Sequence, residues 1–239
     1  MNIAVIFAGG TGQRMNSRTV PKQFLELHGK PILAWTIEKF QKHPSIDKII
    51  LVVLEDWIDY CIEMKDLYKF NKLVSIIPGG ETGLLSIKKG LDCAKQFADL
   101  SESIVLLHDG VRPLINSDTI FAAIKCTLKN GSAITVAPLT ETLVIKKDDF
   151  SVHDIVARDN CLLARAPQCF KLNEISAVAE RAVLEDKKFI DSASMMKYYG
   201  YELCYVQGPI ENIKITTPMD YYLFRAIVEA KENSQILGL

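Results

Sequence analysis

Short, almost wholly apolar runs alternate along this chain with longer stretches whose apolar residues return every three or four positions. The runs are Ile3-Ala4-Val5-Ile6-Phe7, Lys48-Ile49-Ile50-Leu51-Val52-Val53-Leu54, Leu73-Val74-Ser75-Ile76-Ile77, Ile104-Val105-Leu106-Leu107-His108 and Ala133-Ile134-Thr135-Val136-Ala137. Runs this rich in β-branched residues and this poor in polar ones mark strands covered on both faces. The stretches between them predict helices from Pro31, with Leu33, Ile37 and Phe40 on one face, from Trp57 to Tyr68, from about Thr82 to Ala98, and from Ser117 to about Lys129. Phe24 to Leu27 reads as a short extended piece, and His43-Pro44 closes the first helix. Repeated strand–helix units predict an α/β fold built on a doubly wound, mostly parallel sheet, whose ligands bind beyond the carboxyl ends of the strands.

The rhythm breaks between Pro138 and Pro167. Glu141 to Ile145 and Ser151 to Val156 flank the polar turn Lys146-Lys147-Asp148-Asp149, a pattern that predicts a projecting β-hairpin. The segment 139–166 is therefore a candidate dimerisation arm on a single domain spanning 1–239. Helices are expected over Glu174 to Glu185 and Ser192 to Tyr199, with a strand over Glu202 to Val206. Thr217-Pro218-Met219-Asp220 supplies an N-cap, a proline at the first helical position and an acid at the third, so a closing helix should reach about Glu232.

Composition narrows the class. Apolar residues make up 49% and charged residues 24%, with a formal net charge of −1, an ordinary globular profile that argues against nucleic acid as a partner. The six cysteines form no C-x-x-C pair and no repeated spacing, which suggests buried thiols in a reducing compartment. The first strand begins at Ile3 and no apolar run reaches the length of a membrane span, so the expected location is the cytoplasm.

The first strand runs directly into Ala8-Gly9-Gly10-Thr11-Gly12-Gln13-Arg14-Met15, followed by Pro21-Lys22-Gln23. Glycines let backbone N–H groups approach phosphate oxygens, and Arg14 and Lys22 add charge, so the loop suits a nucleotide triphosphate. A plain tight turn is the alternative. It is not a P-loop, because no Gly-Lys-Ser/Thr follows, and it lacks the third glycine and the well-spaced acid of a dinucleotide fingerprint. His108-Asp109-Gly110-Val111-Arg112-Pro113 ends another buried strand on the same edge. There Asp109 suits Mg²⁺, or else simply caps a turn and pairs with Arg112. Lys214, between Ile213 and Ile215, would point away from both if extended. Gly79-Gly80-Glu81 with Ser86 forms a third strand end on that edge, and Arg158 lies on the returning side of the hairpin. His28, His43 and His153 have no metal-ligand spacing, and no serine or cysteine sits in a nucleophile elbow.

In chain order, A-G-G-x-G-x-R-M, P-K-Q-F, the Gly79-Gly80 turn with Ser86, H-D-x-x-R-P, A-P-x-x-x-T ending at Thr142, Arg158, P-Q-x-F from Pro167 and N-I-K-I-T-T-P cover nearly the whole sequence. Together they resemble the cytidylyltransferases that activate small polyol phosphates, the 2-C-methyl-D-erythritol 4-phosphate enzymes and their ribitol 5-phosphate relatives. The resemblance implies a Rossmann-like nucleotidyltransferase fold, a homodimer, and the substrates CTP and a polyol phosphate with Mg²⁺. It implies that Ala8, Gly9, Gly10, Thr11 and Gly12 wrap the nucleotide while Arg14, Lys22 and Lys214 bind reacting phosphates. Gly80, Glu81 and Ser86 would read cytosine and ribose, and Arg112 would join the nucleotide contacts. Asp109, Thr142 and Arg158 would lie near the acceptor phosphate, Arg158 delivered by a partner's hairpin.

Gly83, Leu85, Ala166 and Ile190 depart from the family pattern, as does Glu141 before Thr142. Pro21 to Leu27, Thr36 to Phe40, Asp56-Trp57 and Val111 look more like the ribitol enzymes, which favours D-ribitol 5-phosphate as acceptor. The alternatives are 2-C-methyl-D-erythritol 4-phosphate as acceptor and a non-catalytic nucleotide-binding protein on the same fold.

Overall fold

The computed structural model describes residues 1–10, 20–99 and 102–237, with side chains to 234. Thr11, Gly12, Arg14 and Met15 of the opening loop lie outside the described residues. In chain order the elements are β1 (Asn2–Ala8), β2 (Glu26–Leu27), β3 (Lys30–Pro31), α1 (Ile32–Gln41), β4 (Lys48–Val53), α2 (Ile58–Leu67), β5 (Leu73–Pro78), α3 (Gly83–Lys95), β6 (Ile104–Asp109), α4 (Ser117–Asn130), β7 (Ser132–Pro138), β8 (Leu143–Lys146), β9 (Val152–Val156), β10 (Leu162–Lys171), α5 (Leu172–Leu184), α6 (Ser192–Tyr198), β11 (Tyr205–Gln207) and α7 (Pro218–Leu237).

Seven strands form one sheet in the order β11-β7-β10-β6-β1-β4-β5. Only β10 runs against its neighbours, pairing antiparallel with both β6 and β7. Strand alternation decides what each face buries. Ala4, Ile6 and Ala8 pack with Leu33, Ile37 and Phe40 of α1, Cys61 and Met64 of α2, and Ile120 and Ala123 of α4. Ile3 and Val5 point the other way, to Leu91 and Ala94 of α3, Ile175 and Ala179 of α5, and Met195 and Met196 of α6. A third cluster joins Leu27, Ile32, Val111, Ile215 and Phe224, fixing α7 and the β2–β3 pair to the segment after β6.

The chain adds β4 and β5 on one side of β1, then crosses back through α3 to lay β6 on the other. The carboxyl ends of β1 and β6 thus border the switch point of the sheet, where crevices form in open α/β folds. Phe7 and Asp109 are register partners there.

Four expectations need correcting. The segment before Pro167 is not only the end of an arm: Leu162 to Lys171 is a strand of the main sheet. A proline inside a strand removes a ladder donor and argues against a central position, yet the register shifts between Ala164 and Gln168, and that bulge accommodates Pro167. The strand expected over Glu202 to Val206 is confined to Tyr205–Gln207, and α7 continues past Glu232 to Leu237. The piece at Phe24 to Leu27 divides into a 3-10 turn over Lys22–Phe24 and the short strand β2. The hairpin forms as expected, with Val144 opposite Ile155.

Helix α3 lies so close to the sheet that a Cβ on Gly90 would meet Val5 Cγ1 at 2.7 Å and Val52 Cγ2 at 3.2 Å. Alanine is favoured over glycine in a helix by about 1 kcal/mol, but overpacking a buried strand costs about 1–3 kcal/mol. Gly90→Ala is therefore expected to lower stability in urea unfolding, whereas Gly83→Ala, which meets nothing within 4 Å, should be neutral or stabilising.

Candidate functional site

Beyond the carboxyl ends of β1, β5 and β6 lies a cavity of about 620 Å³. Gly9 and Gly10 continue β1 into its wall, and Lys22 and Gln23 lie beside them. Gln23 is fully buried and its Nε2 donates to the carbonyls of Ala8 at 2.7 Å and Gly10 at 3.1 Å. The glutamine of P-K-Q thus ties down the backbone of the glycine loop. Sequence reasoning recorded the motif but not this role, because a side chain that anchors a backbone has no spacing of its own.

Gly80, Glu81, Thr82, Gly83 and Ser86 form the β5 side of the cavity, at the N-terminus of α3. A Cβ on Gly80 would come within 2.4 Å of Leu85 Cβ, so the turn closes only with glycine. The Gly80 N–H donates to Ser86 Oγ at 3.0 Å, and the Ser86 hydroxyl donates to the Thr82 carbonyl at 3.0 Å. Ser86 faces the cavity, but its hydroxyl is already occupied in shaping the turn. Thr82 caps α3 by accepting from the Leu85 N–H. The helix dipole favours electronegative groups at this end.

Asp109 stands at the end of β6 between two cations. Arg112 Nε donates to Oδ2 at 2.8 Å, and Lys214 Nζ to Oδ1 at 2.6 Å. Burial pushes the Asp109 carboxyl up, but the Lys214 and Arg112 charges outweigh it and hold the group at about 2. Arg112, itself buried, also donates from Nη1 to the Asn212 carbonyl at 3.0 Å, and Asn212 Nδ2 donates to the Ala166 carbonyl at 2.8 Å. Ile215 is buried on the opposite side from Lys214, the alternation expected of an extended piece. Thr217 and Asp220 cap α7 reciprocally, fixing where that piece ends.

His108 is buried beneath this group. Its Nε2 lies 3.2 Å from the Arg112 carbonyl, which assigns the proton to Nε2, and its ring tilts against Phe40. Burial lowers its pKa to about 4, so it is a neutral structural donor.

The remaining wall comes from β10 and the start of α6. Arg165, Ala166, Gln168, Ile190, Asp191 and Ser192 line it. Gln168 bridges the two elements, donating to Asp191 Oδ2 at 2.8 Å and accepting from the Ala193 N–H at 2.9 Å. Asp191 also caps α6. Arg165 was not expected here, since β10 itself was not. Thr142 and Arg158, by contrast, are exposed on or beside the hairpin and do not line this chain's cavity.

Among the described residues no three His, Cys, Asp or Glu side chains gather as a metal cage. Asp109 fits a divalent cation that nucleotide phosphates mainly hold, since each carboxylate oxygen keeps a second lone pair beyond its present hydrogen bond.

The family model for 2-C-methyl-D-erythritol 4-phosphate cytidylyltransferase matches residues 2–230. The ribitol-5-phosphate cytidylyltransferase of Streptococcus agalactiae serotype III (strain NEM316) is 46% identical over 240 residues, covering 100% of both chains. The 2-C-methyl-D-erythritol 4-phosphate cytidylyltransferase of Clostridium botulinum (strain Langeland) is 37% identical, covering 95% of this chain and 97% of its own. Among solved structures, the 4-diphosphocytidyl-2C-methyl-D-erythritol synthase of Anaerococcus prevotii superposes with a TM-score of 0.81 at 28% identity, covering 95% and 98% of the two chains.

The buried histidine gives the fold a pH dependence. Unfolded, His108 takes a proton near 6.5; folded, only at about 4. The unfolded chain binds more protons between those values, so stability is lost as pH falls through that window, by on the order of 3 kcal/mol for this group. His43, also lowered by burial, acts in the same direction. Urea unfolding from pH 7.5 to 4.5 should show the decline, and His108→Gln should make it shallower; an unchanged slope would contradict this account.

Proposed function

As a member of the 2-C-methyl-D-erythritol 4-phosphate cytidylyltransferase family, the chain is a CTP-dependent cytidylyltransferase acting on a small polyol phosphate, and we propose that its acceptor is D-ribitol 5-phosphate, giving CDP-ribitol and pyrophosphate. The higher identity to ribitol 5-phosphate enzymes, over full length, carries the choice of acceptor. The erythritol compound is the alternative.

In this reading Ala8 to Gly12 wrap the triphosphate, with Gln23 holding the described part of that loop in shape. Lys22, Arg14 and Lys214 offset phosphate charge. The turn from Gly80 and Glu81 to Ser86 receives cytosine and ribose, with Ser86 acting through the backbone it fixes. The acceptor's phosphate is already an anionic nucleophile, so no base need activate it and no covalent enzyme intermediate is required. One of its oxygens forms a bond to the α-phosphorus of CTP in line with the bond that breaks, and pyrophosphate leaves with that electron pair. The enzyme's task is to hold two anions together and to meet the charge that builds on the α-phosphoryl oxygens. Asp109 holds Lys214 in position for this and would be the protein ligand of Mg²⁺. Bound with the nucleotide, that cation would supply further charge neutralisation and fix the phosphates' orientation.

The proposal includes a cytoplasmic homodimer. No helix among the described residues is long and apolar enough to cross a membrane. The hairpin exposes Leu143, Val144, Ile145, Val152 and Ile155, and Phe150 at its tip is wholly exposed. Apolar surface of this kind, on an arm clear of the core, suits a second copy of the chain. Thr142 and Arg158 would then reach the partner's cavity.

Three outcomes are expected. Incubation with CTP, Mg²⁺ and ribitol 5-phosphate should release pyrophosphate faster than with the erythritol acceptor; the reverse order would transfer the assignment. Lys22→Ala should lower turnover about a hundredfold, equivalent to ~3 kcal/mol of transition-state stabilisation, with normal turnover counting against the site. Replacing Val144 and Ile155 together by Asp should give a monomer by analytical ultracentrifugation and reduce activity, and an unaltered dimer would exclude the arm.

A further inference from the structure

The cavity's cations are not equally committed. Lys214 and Arg112 both hold Asp109, and Arg112 is also bound to the Asn212 carbonyl. Arg165 has no hydrogen-bond or ion-pair partner among the described residues, and its Nε is shielded from solvent with nothing accepting from it. Burial, and then the neighbouring Arg112 charge, lower its pKa. A half-buried guanidinium whose Nε has no acceptor, beside a second guanidinium, is an unfavourable arrangement unless an anion completes it.

Position says which anion. Along the ligand edge the strand order places the turn after β5 at one end, then the glycine loop of β1, Asp109 of β6, and Arg165 of β10. Arg165 therefore lies beyond Asp109 from both glycine turns, next to Ala166 and the Gln168–Asp191 bridge. The bulge that accommodates Pro167 breaks the pairing of β10 between Ala164 and Gln168, and Arg165 sits within that break. We propose that Arg165 is a binding residue for the acceptor, its planar fork receiving the phosphate of the incoming alditol phosphate from within the same chain. A guanidinium matches two phosphate oxygens at once, which a lysine does not, so Arg165 would orient the nucleophilic phosphate as well as hold it. Naming the ligand an alditol phosphate rests on the function proposed above; the anion site itself does not.

The test compares the full-length wild type with Arg165→Gln and Arg165→Lys. The KM for ribitol 5-phosphate should rise roughly ten- to a hundredfold in Arg165→Gln, with the KM for CTP unchanged, and Arg165→Lys should recover part of the loss. Melting temperature should stay level or rise, because no protein acceptor is lost; a structural role would lower it. An acceptor KM within twofold of wild type, a rise in the CTP KM instead, or a lowered melting temperature with no change in KM would each overturn the proposal. If the wild type turns over no alditol phosphate, the functional reading fails and calorimetric titration with inorganic phosphate decides the anion site. Weaker binding by Arg165→Gln than by wild type supports it, and equal binding, or none by the wild type, overturns it.

Discussion

Asp109 shared between Arg112 and Lys214 is the contact on which the cavity depends. It joins the end of β6 to a segment 105 residues away, and Arg112 and Asn212 carry the connection on to the Ala166 carbonyl beside the bulge of β10. Pairing one partly exposed carboxylate with two cations places a residual positive charge at the switch point of the sheet. Removing the carboxylate would leave the buried Arg112 without its paired anion, so the acid serves the cations as much as the reverse. The chain's near-zero net charge is no obstacle to binding polyanions. Lys22, Arg112, Arg165 and Lys214 converge on one cavity, and Asp109 and Asp191 there are already bonded to protein groups.

The sheet and its ligand edge were legible because buried parallel strands leave long apolar runs and helices leave a three-to-four periodicity. Both signals survive without knowledge of neighbours. The strand β10 left neither. Its first residues, Leu162 and Leu163, are exposed, Arg165 faces the cavity, and Pro167 speaks locally against a strand. Only the bulge, a relation between three strands, makes it fit. Arg165 was lost with it. Asp109 and Arg112 were singled out because a strand end predicts the edge they occupy, whereas alternation gave only the direction of Lys214 and its place at that edge came from the resemblance. Their mutual pairing was half legible: Arg112 three residues after Asp109 is a local pattern, whereas Lys214 reaches Asp109 only through the third core cluster. Thr142 and Arg158 came from likeness alone, and this chain by itself does not bring them to the cavity.

Several polar residues of the site act on the backbone. Gln23 holds the glycine loop, Ser86 closes the Gly79-Gly80 turn, and Gln168 fastens α6 to β10. Each is bonded to protein backbone before any ligand arrives. Preorganisation of this kind matters for a reaction between two anions, because the cost of bringing like charges together is met by groups that do not have to move during the chemistry.

The same commitment limits how the cavity can tell one polyol from another. Acceptors that share a phosphate share its contacts, so discrimination has to come from the carbon chain and its hydroxyls. On the β10 wall both Asp191 oxygens and both polar atoms of Gln168 already bond to protein, and the residues beside them are Ala166 and the fully exposed Ile190. Where it presents Ala166, Ile190 and polar atoms already bonded to protein, the wall rejects a misfit chiefly by shape. Shape alone distinguishes a methyl or a hydroxyl by roughly 10–200-fold, far less than a site left with unpaired donors would achieve. Sharper selection at this wall would therefore fall to the hydrogen-bonding capacity that its polar groups keep, the second lone pair on each Asp191 oxygen and the Ser192 hydroxyl.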